Sequence, residues 1–571
     1  MLTQPDHALP GRTTAFVVTL LGAALFLVCA FASYRRHLHV DELSALYSIQ
    51  LGAAFGHPEY AAVELSSVLF QPLARALGSS HALFTGFRVL ELSLLAALCW
   101  SVACVQQSLP SALGRAGVFL GAVSFGPLWR HGFEVRHDIF VAFALVLLVW
   151  AAERARSGNL GWWAASATSF GMLIAQANSS KAFTIWLPGL ALCALLAAWV
   201  RPRAPWPQRL ALECLRFVPG LVLGCAFVAA VLAMGGVLGE YWRQLVQFTS
   251  FSSSPPYRLS AVPLLVFAIE RAPVHAGFFA LGLLAALARI ARRKPLDEAW
   301  APLGACALCA FSIALNPTPF PYNLTWLTPG WLLMAAFGGA QSLAFLRRAR
   351  RSAALRVLLA TSAAALSLWC FWNCERDPYY RKSWDTQLRI IASAEALTEP
   401  DEPVLDLCGL VLSRPPVAKD WVVHSLYMPA YHAGEREPVR QIIARVWPPV
   451  AINVYRWSFL DRADWQAYRQ HYVRFSDDVW TLGQSLSPGN HHVEIQRGGR
   501  YRVGSSGDAG TLDERAIRGG DVLFLERGRH ALRATTSFTL AWNGPYDPGA
   551  PPPAANPLFE PGELPKQRDW R

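Results

Sequence analysis

Apolar positions run in long unbroken blocks up to about residue 375, and beyond that point they alternate with polar ones in short stretches. Each block is close to the ~20 residues that a helix needs to cross a bilayer. About eleven spans are predicted, near 14–33, 83–105, 111–129, 134–152, 159–176, 182–200, 214–237, 265–288, 299–315, 324–346 and 353–373. Glu270, Arg271 and Pro273 interrupt the eighth. The first lacks a small-x-small cleavage site before Tyr34, so it reads as a retained span rather than a removed leader.

Basic residues set the expected orientation. Arg115 follows the second span, Arg154 and Arg156 the fourth, and Arg201, Arg203 and Arg209 the sixth. Arg289, Arg292, Arg293 and Lys294 follow the eighth, and Arg347, Arg348, Arg350 and Arg351 the tenth. Even-numbered loops are therefore expected in the cytoplasm together with the N-terminus. The odd loops, near 34–82, 130–133, 177–181, 238–264 and 316–323, and everything after 374 are expected outside. The first outer loop is amphipathic. It reads as an interfacial helix over 41–54 and a second helix over about 60–77.

The tail mixes signals. QLRIIASAEAL and PVRQIIARV read as helices, while EPVLDLCGLVL and AINVYR read as strands. After about 488, HHVEIQ, RYRVGSS, DVLFLERG, HALRATT and FTLAWNG are short strands between glycine turns, as in a small β-sandwich. The expected fold class is a mainly α polytopic membrane protein followed by an outer α/β region and that β-sandwich. The expected domains are 1–375 in the membrane, 376–486 as α/β, and 487–571 as β-rich with a Pro-rich irregular tail.

Composition agrees: 53% of the 571 residues are hydrophobic and 16% are charged. The net charge of +12 follows from the basic loops and does not call for nucleic acid. Most of the 11 cysteines lie in spans, and Cys306/Cys309 in an apolar helix reads as packing. Cys374 and Cys408 would both face outward, so a disulfide between them stays open. There is no P-loop and no H-E-x-x-H, which leaves a nucleotide-driven pump or a zinc protease without support.

Four polar constellations fall on the outer side. The first is Asp41-Glu42, with His37 and His39 upstream. The second, WRHGFEVRHD, holds Arg130, His131, Glu134, Arg136, His137 and Asp138. The third is Asn178-Ser179-Ser180-Lys181, and the fourth holds Asn316 and Tyr322. Ionisable groups at membrane depth are costly and therefore candidates for function. Each also has a plain structural reading. The acidic pair could cap a helix. Arg136 with Asp138 could anchor a helix end, and Lys181 and Tyr322 could sit in the interfacial belt. A histidine metal site is the weaker reading of the four histidines.

These motifs resemble the GT-C fold polytopic glycosyltransferases, especially the bacterial members similar to protein O-mannosyltransferases and the aminoarabinose transferase (family 39-like). The resembling stretches are HVDELSALYSIQLG, FEVRHDIFVAFALVLL, SSKAFTIWLPGLAL and NPTPFPYNLTWLTPGWLLMA, within about 40–345. One departure lies in the second half of the first loop. VELSSVLFQPL keeps Glu64 and Pro72 but has no lysine. The resemblance implies an inverting enzyme of a bacterial inner membrane that moves a sugar from a polyprenyl-phosphate donor to an extracytoplasmic acceptor hydroxyl. The acceptor is a glycan, a lipid or a protein. Asp41 is then the general base, and catalytic Glu42 could orient it, bind the acceptor or help hold a divalent ion. Arg136, Lys181, Arg130 and His131 are candidates to neutralise the departing phosphate, Tyr322 to hydrogen-bond it, and Asp138 to orient Arg136. Mg²⁺ or Mn²⁺ on Asp41 or Glu42 is an open option. The alternative is a transporter or flippase for a lipid-linked or anionic solute, although no inverted repeat is present. A catalytically silent scaffold is a third reading.

Overall fold

The computed structural model describes residues 8–34, 36, 38, 40–50, 64–78, 80–105, 112–134, 136–179, 182–200, 205–252, 262–293, 296, 299–315, 323–348, 361–362, 364–369, 371–373, 384–418, 431–476 and 478–544. The chain forms two compact units. One comprises Met1–His37, Glu64–Leu69 and Thr85–Ser383, and the other Leu38–Val63, Phe70–Phe84 and Trp384–Arg571.

The first unit is helical. It begins with α1 (Ala8–Tyr34) and includes α3 (Leu65–Leu69); the stretch before the next long helix also holds α2 (Val40–Gln50) and α4 (Gln71–Leu77), which belong to the second unit. Then come α5 (Ser80–Val105), α6 (Ala112–Val123), the single turn α7 (Leu128–His131), α8 (Asp138–Arg156), α9 (Trp162–Asn178) and α10 (Phe183–Val200). They are followed by α11 (Trp206–Leu215), α12 (Val218–Met234), α13 (Leu238–Ser252), α14 (Val262–Arg271), α15 (Pro273–Ala291), α16 (Trp300–Leu315) and α17 (Leu324–Arg348).

Among the described residues, four stretches are long and apolar enough to cross a membrane: Thr13–Tyr34, Ser80–Val105, Trp206–Met234 and Pro273–Ala291. Leu20, Leu27, Phe31, Leu223 and Leu284 on these helices are exposed. Large apolar side chains facing out from such helices are what a lipid solvent requires. The eighth predicted span is broken at Ala272, between α14 and α15, as its Glu-Arg and proline suggested.

α8 is the centre of the unit. Ile139, Val141, Leu145, Leu148 and Val149 are all buried, and the helix packs against α9, α10, α16 and α17. Close approach elsewhere depends on glycine. A Cβ at Gly338 of α17 would fall 1.9 Å from the Phe278 carbonyl oxygen of α15, so only glycine permits this crossing.

The second unit carries α2 and α4 together with the C-terminal region. That region contains α18 (Trp384–Ala396), α19 (Val439–Val446), α20 (Arg462–His471) and the strands β1 (Val404–Leu405), β2 (Val450–Ile452), β3 (Tyr472–Ser476), β4 (Val479–Leu486), β5 (Gly489–Ile495), β6 (Gly499–Gly504), β7 (Asp508–Leu512), β8 (Arg515–Arg518), β9 (Val522–Leu525), β10 (Gly528–Ala534) and β11 (Phe538–Trp542). One sheet runs β1-β2-β4-β11-β6-β9, with β3 also paired to β4, and the other runs β5-β10-β7-β8. Their strands alternate inward and outward, as β6 does with Gly499, Tyr501 and Val503 buried. Trp457 stacks on Tyr468 with ring centroids 4.0 Å apart, and Tyr468 also meets Tyr472 and Trp480 in this core.

The run EPVLDLCGLVL is a strand for only Val404–Leu405. Buried Asp406 ends it by accepting hydrogen bonds from the backbone N–H groups of Cys408, Gly409 and Val411. An aspartate that captures its own downstream amides competes with the strand ladder. Cys408 there is a free thiol, and burial first, then the Asp406 charge, pushes it well above its ordinary value. Cys374 lies outside the described residues. Cys306 and Cys309 turn their sulfurs toward the Gly330 and Trp326 carbonyls, which fits packing.

Candidate active site

Within the helical unit, ionisable side chains gather where α8 begins. α6 ends at Val123, and α7 makes one turn closed by Gly132 N–H on the Leu128 carbonyl. The chain then turns through Glu134 and enters α8 at Asp138. Trp129 and Phe133 are fully buried in this connection, and they anchor it in the bundle. The connection is clamped by two arginines. Arg36 Nη1 donates to the Trp129 carbonyl at 2.7 Å, Arg88 Nη1 donates to the Ser33 carbonyl at 2.9 Å, and both guanidinium groups lie over the Phe133 ring.

Arg136 and Asp138 form a buried pair, with Nε donating to Oδ2 at 3.1 Å. The other oxygen, Oδ1, accepts Asn323 Nδ2 at 3.1 Å from the start of α17. Both Asp138 oxygens are thereby engaged, and the carboxylate lies in the first turn of α8, where the helix dipole favours it. Beside it, His137 Nδ1 lies 2.9 Å from Glu64 Oε1. Glu64 directly precedes α3, which is tied to the end of α9 because Asn178 Oδ1 accepts Ser66 N–H at 2.8 Å. Tyr241 of α13 is bonded to the Gln176 carbonyl. Burial, and then the Glu64 charge, push Tyr241 up to about 12, so it remains a protonated donor.

Other sequence candidates fall as follows. Arg130 lies over the Phe267 ring, 4.3 Å from its centroid, and His131 Nδ1 lies 2.8 Å from Glu134 Oε1. Glu42 is fully buried in α2, on the same helix as Asp41. The side chain of Asp41 and all of His37, His39, Ser180, Lys181, Asn316 and Tyr322 lie outside the described residues. Arg136 and Asp138 come together as the helix-end pairing supposed. Glu64, Asn323, Tyr241, Arg36 and Arg88 were not singled out as site residues. Glu64 stood out only as the acidic residue kept in VELSSVLFQPL, and Asn323 only as one position within NPTPFPYNLTWLTPGWLLMA. Among the described residues, no group of three or more His, Cys, Asp or Glu side chains converges to hold a metal.

The second unit holds the chain just before Asp41. Gln387 of α18 exchanges two hydrogen bonds with the Leu38 backbone. Leu43, Leu46, Tyr47 and Ile49 bury the apolar side of α2. Gly409, at φ +75°, makes room for that helix, since a Cβ there would sit 2.8 Å from Tyr47 Cβ.

No protein-family model matches the chain, and no curated protein matches it by sequence. Solved structures do match. ArnT from Cupriavidus metallidurans in the apo state superposes with a TM-score of 0.56 at 15% identity, over 82% of this chain and 98% of that one. The same protein bound to undecaprenyl phosphate superposes with a TM-score of 0.55 at 14% identity, over 81% of this chain and 97% of that one. Apolar helices of spanning length and this likeness together make the chain a multi-pass membrane protein with a β-sheet region after its helices. Its fold is the GT-C fold of ArnT.

Proposed function

We propose that this chain is an integral membrane glycosyltransferase that moves a sugar from a polyprenyl-phosphate donor to an extracytoplasmic acceptor hydroxyl, with inversion. One observation carries the reading. A buried Arg136–Asp138–Asn323 array and the Glu64–His137 pair gather at the head of α8, inside an apolar bundle with the ArnT fold. The ArnT structure that binds undecaprenyl phosphate supports the choice of donor class.

In the reaction, the acceptor oxygen attacks the anomeric carbon opposite the phosphate. The new carbon–oxygen bond forms as the bond to the phosphate oxygen breaks, and the hydroxyl proton passes to the Asp41 carboxylate. The phosphate leaves with the bonding electron pair, so a base must help the nucleophile and cations must help the leaving group. Arg136 serves that second need, held by Asp138, together with Lys181, Arg130 and His131, while Tyr322 donates a hydrogen bond. Glu42 orients Asp41. No step here is routed through Mg²⁺ or Mn²⁺. In this reading about eleven spans lie in a bacterial inner membrane, the N-terminus is cytoplasmic and the C-terminal region is periplasmic.

The test is Asp41→Asn in purified, inserted protein. Transfer from a polyprenyl-phosphate sugar is expected to fall by ~10² or more, the scale of a lost general base, with insertion unchanged. Full activity in that variant overturns the assignment. Mass spectrometry of envelope glycans, glycolipids and proteins, with and without the chain, names the sugar and acceptor.

A further inference from the structure

The end of α8 opposite Asp138 is basic. Its last turn holds Arg154 and Arg156, α11 holds Arg209, and Arg216 directly follows α11. Across residues 150–160 and 199–216 the sequence has six arginines, two glutamates and no aspartate or lysine. Both glutamates are buried and already engaged: Glu153 pairs with Arg156 at 3.5 Å, and Glu213 with Arg216 at 2.9 Å. Arg154 has no carboxylate partner among the described residues, and its guanidinium lies over the Trp150 ring, 4.8 Å from the centroid. Its Nε is buried, but its two Nη nitrogens are not, so the fork of the guanidinium faces outward. Arg156, Arg209 and Arg216 are also partly exposed.

These segments meet at one place. Arg216 Nη1 donates to the Leu160 carbonyl in the turn between α8 and α9, and Ser166 Oγ of α9 donates to the Arg216 carbonyl at 3.2 Å. Arg209 Nη1 donates to the Ala198 carbonyl near the end of α10 at 3.0 Å. A Cβ at Gly158 would lie 3.9 Å from Val200 Cγ1, so the end of α10 also adjoins the turn after α8. Tryptophans border the arginines. Trp163 and Trp199 are 80% and 77% exposed, Trp162 is exposed too, and exposed Trp206 lies beneath the Arg209 guanidinium. Rings so uncovered add little to packing, and indole is favoured at the head-group level of a bilayer. From there α11 and α12 continue with exposed Leu212, Leu215 and Val222, within a stretch long and apolar enough to cross the membrane.

We propose that this end of the bundle binds an acidic membrane phospholipid. Arg154 takes its phosphate, with Arg156, Arg209 and Arg216 around it, and the α11–α12 face takes its acyl chains. A guanidinium fork matches phosphate oxygens, and the excess of positive charge favours an acidic over a zwitterionic head group. The apolar rim favours a lipid over a soluble phosphate. The site lies at the other end of α8 from the polar cluster and does not depend on glycosyl transfer.

The full-length protein, delipidated in detergent, is titrated with phosphatidylglycerol or with phosphatidylcholine of the same chains, and bound lipid is read by native mass spectrometry. Phosphatidylglycerol is expected to bind roughly tenfold more tightly, and inorganic phosphate in excess is expected not to displace it. Arg154→Gln is expected to weaken phosphatidylglycerol about fivefold, the scale of one basic side chain at an acidic surface, and to leave phosphatidylcholine unchanged. Arg289→Gln removes a positive charge from the end of α15 instead and is expected to match the wild type. Trp163→Ala alters a side chain that packs little and is expected to weaken both lipids, which keeps the test decisive even where Arg154→Gln fails to fold. Equal binding of the two lipids by the wild type, displacement by inorganic phosphate, equal losses in Arg154→Gln and Arg289→Gln, or undiminished binding in Trp163→Ala overturns the proposal.

Discussion

Gln387 holds the main chain of Leu38 from both sides: its Oε1 accepts the Leu38 N–H at 2.8 Å, and its Nε2 donates to the Leu38 carbonyl at 2.9 Å. Both residues are buried, and 349 positions separate them. Leu38 lies three residues before Asp41, so this side chain of α18 sets the path of the backbone into α2. Gln387→Ala removes two buried hydrogen bonds, each with a net value of about 1 kcal/mol. Transfer activity is expected to fall about tenfold, and the apparent unfolding temperature to drop by a few degrees. Gln387→Glu, which keeps an acceptor and loses the donor, is expected to fall between. Wild-type rates in Gln387→Ala would mean that this contact does not position the acidic pair.

That contact also marks the limit of what the sequence reveals. Periodicity exposes helices and alternating strands, and it located α8, α9, α10, α17, β5, β6 and β9 to β11 well. It does not by itself pair Arg136 with Asp138, two residues read together as a helix-end anchor and found side by side at the start of α8. It could not join Leu38 to Gln387, Glu64 to His137, or Asp138 to Asn323, since nothing local links residues 349, 73 and 185 positions apart. Nor could it show that β4 pairs with β11, because strand pairing is a long-range choice. The strand reading of EPVLDLCGLVL failed for a local reason, the three amides captured by Asp406.

Arg136 and Asp138 give a stability and an activity prediction that can be separated. Both are buried, so removing one leaves the other charge unpaired in a poor solvent. Arg136→Met is expected to cost about 3–5 kcal/mol. The double variant Arg136→Met/Asp138→Leu is expected to cost less, because no charge is stranded. If Arg136 also receives the phosphate, both variants lose transfer. Apparent unfolding temperatures and turnover for the two variants check this. An active double variant would reduce the pair to a helix anchor.

Asp464 is fully buried and collects four donors. It accepts Tyr431 Oη at 2.5 Å, the backbone N–H groups of Val439 and Arg440, and Arg440 Nη1. It therefore caps the first turn of α19 from another helix. Burial first, and then this hydrogen bond, push the Tyr431 hydroxyl far above its ordinary value, so it stays a donor. Asp464→Ala strands these donors and is expected to destabilise the C-terminal region by about 3 kcal/mol, the upper end for a hydrogen-bonded charge. Limited proteolysis should then cut first within residues 384–544. Asp464→Asn is expected to cost less, since it can still accept the backbone amides.

The hairpin joining β7 and β8 carries a surface switch whose pH window follows from two opposite shifts. His530 Nδ1 lies 2.6 Å from Asp513 Oδ2, while Asp513 Oδ1 accepts the Ala531 N–H. For His530, burial opposes protonation, but the Asp513 carboxylate and the Glu526 carbonyl outweigh it and raise the group above 6.5. For Asp513, the His530 hydrogen bond comes first and holds it below 3.8. The histidine contribution is complete below 6.5 and is lost as pH rises through the raised folded value. The aspartate contribution is complete above 3.8 and is lost as pH falls through the depressed folded value. The pair thus stabilises most between about pH 4 and 6.5, by no more than ~1 kcal/mol because Asp513 is half exposed. Asp513→Asn keeps an acceptor for Ala531 and suits the left-handed backbone at φ 45°. The unfolding temperature of the wild type minus that of Asp513→Asn should peak near pH 5 and shrink above pH 7. A difference independent of pH would show that the ion pair contributes nothing and that the turn geometry alone matters.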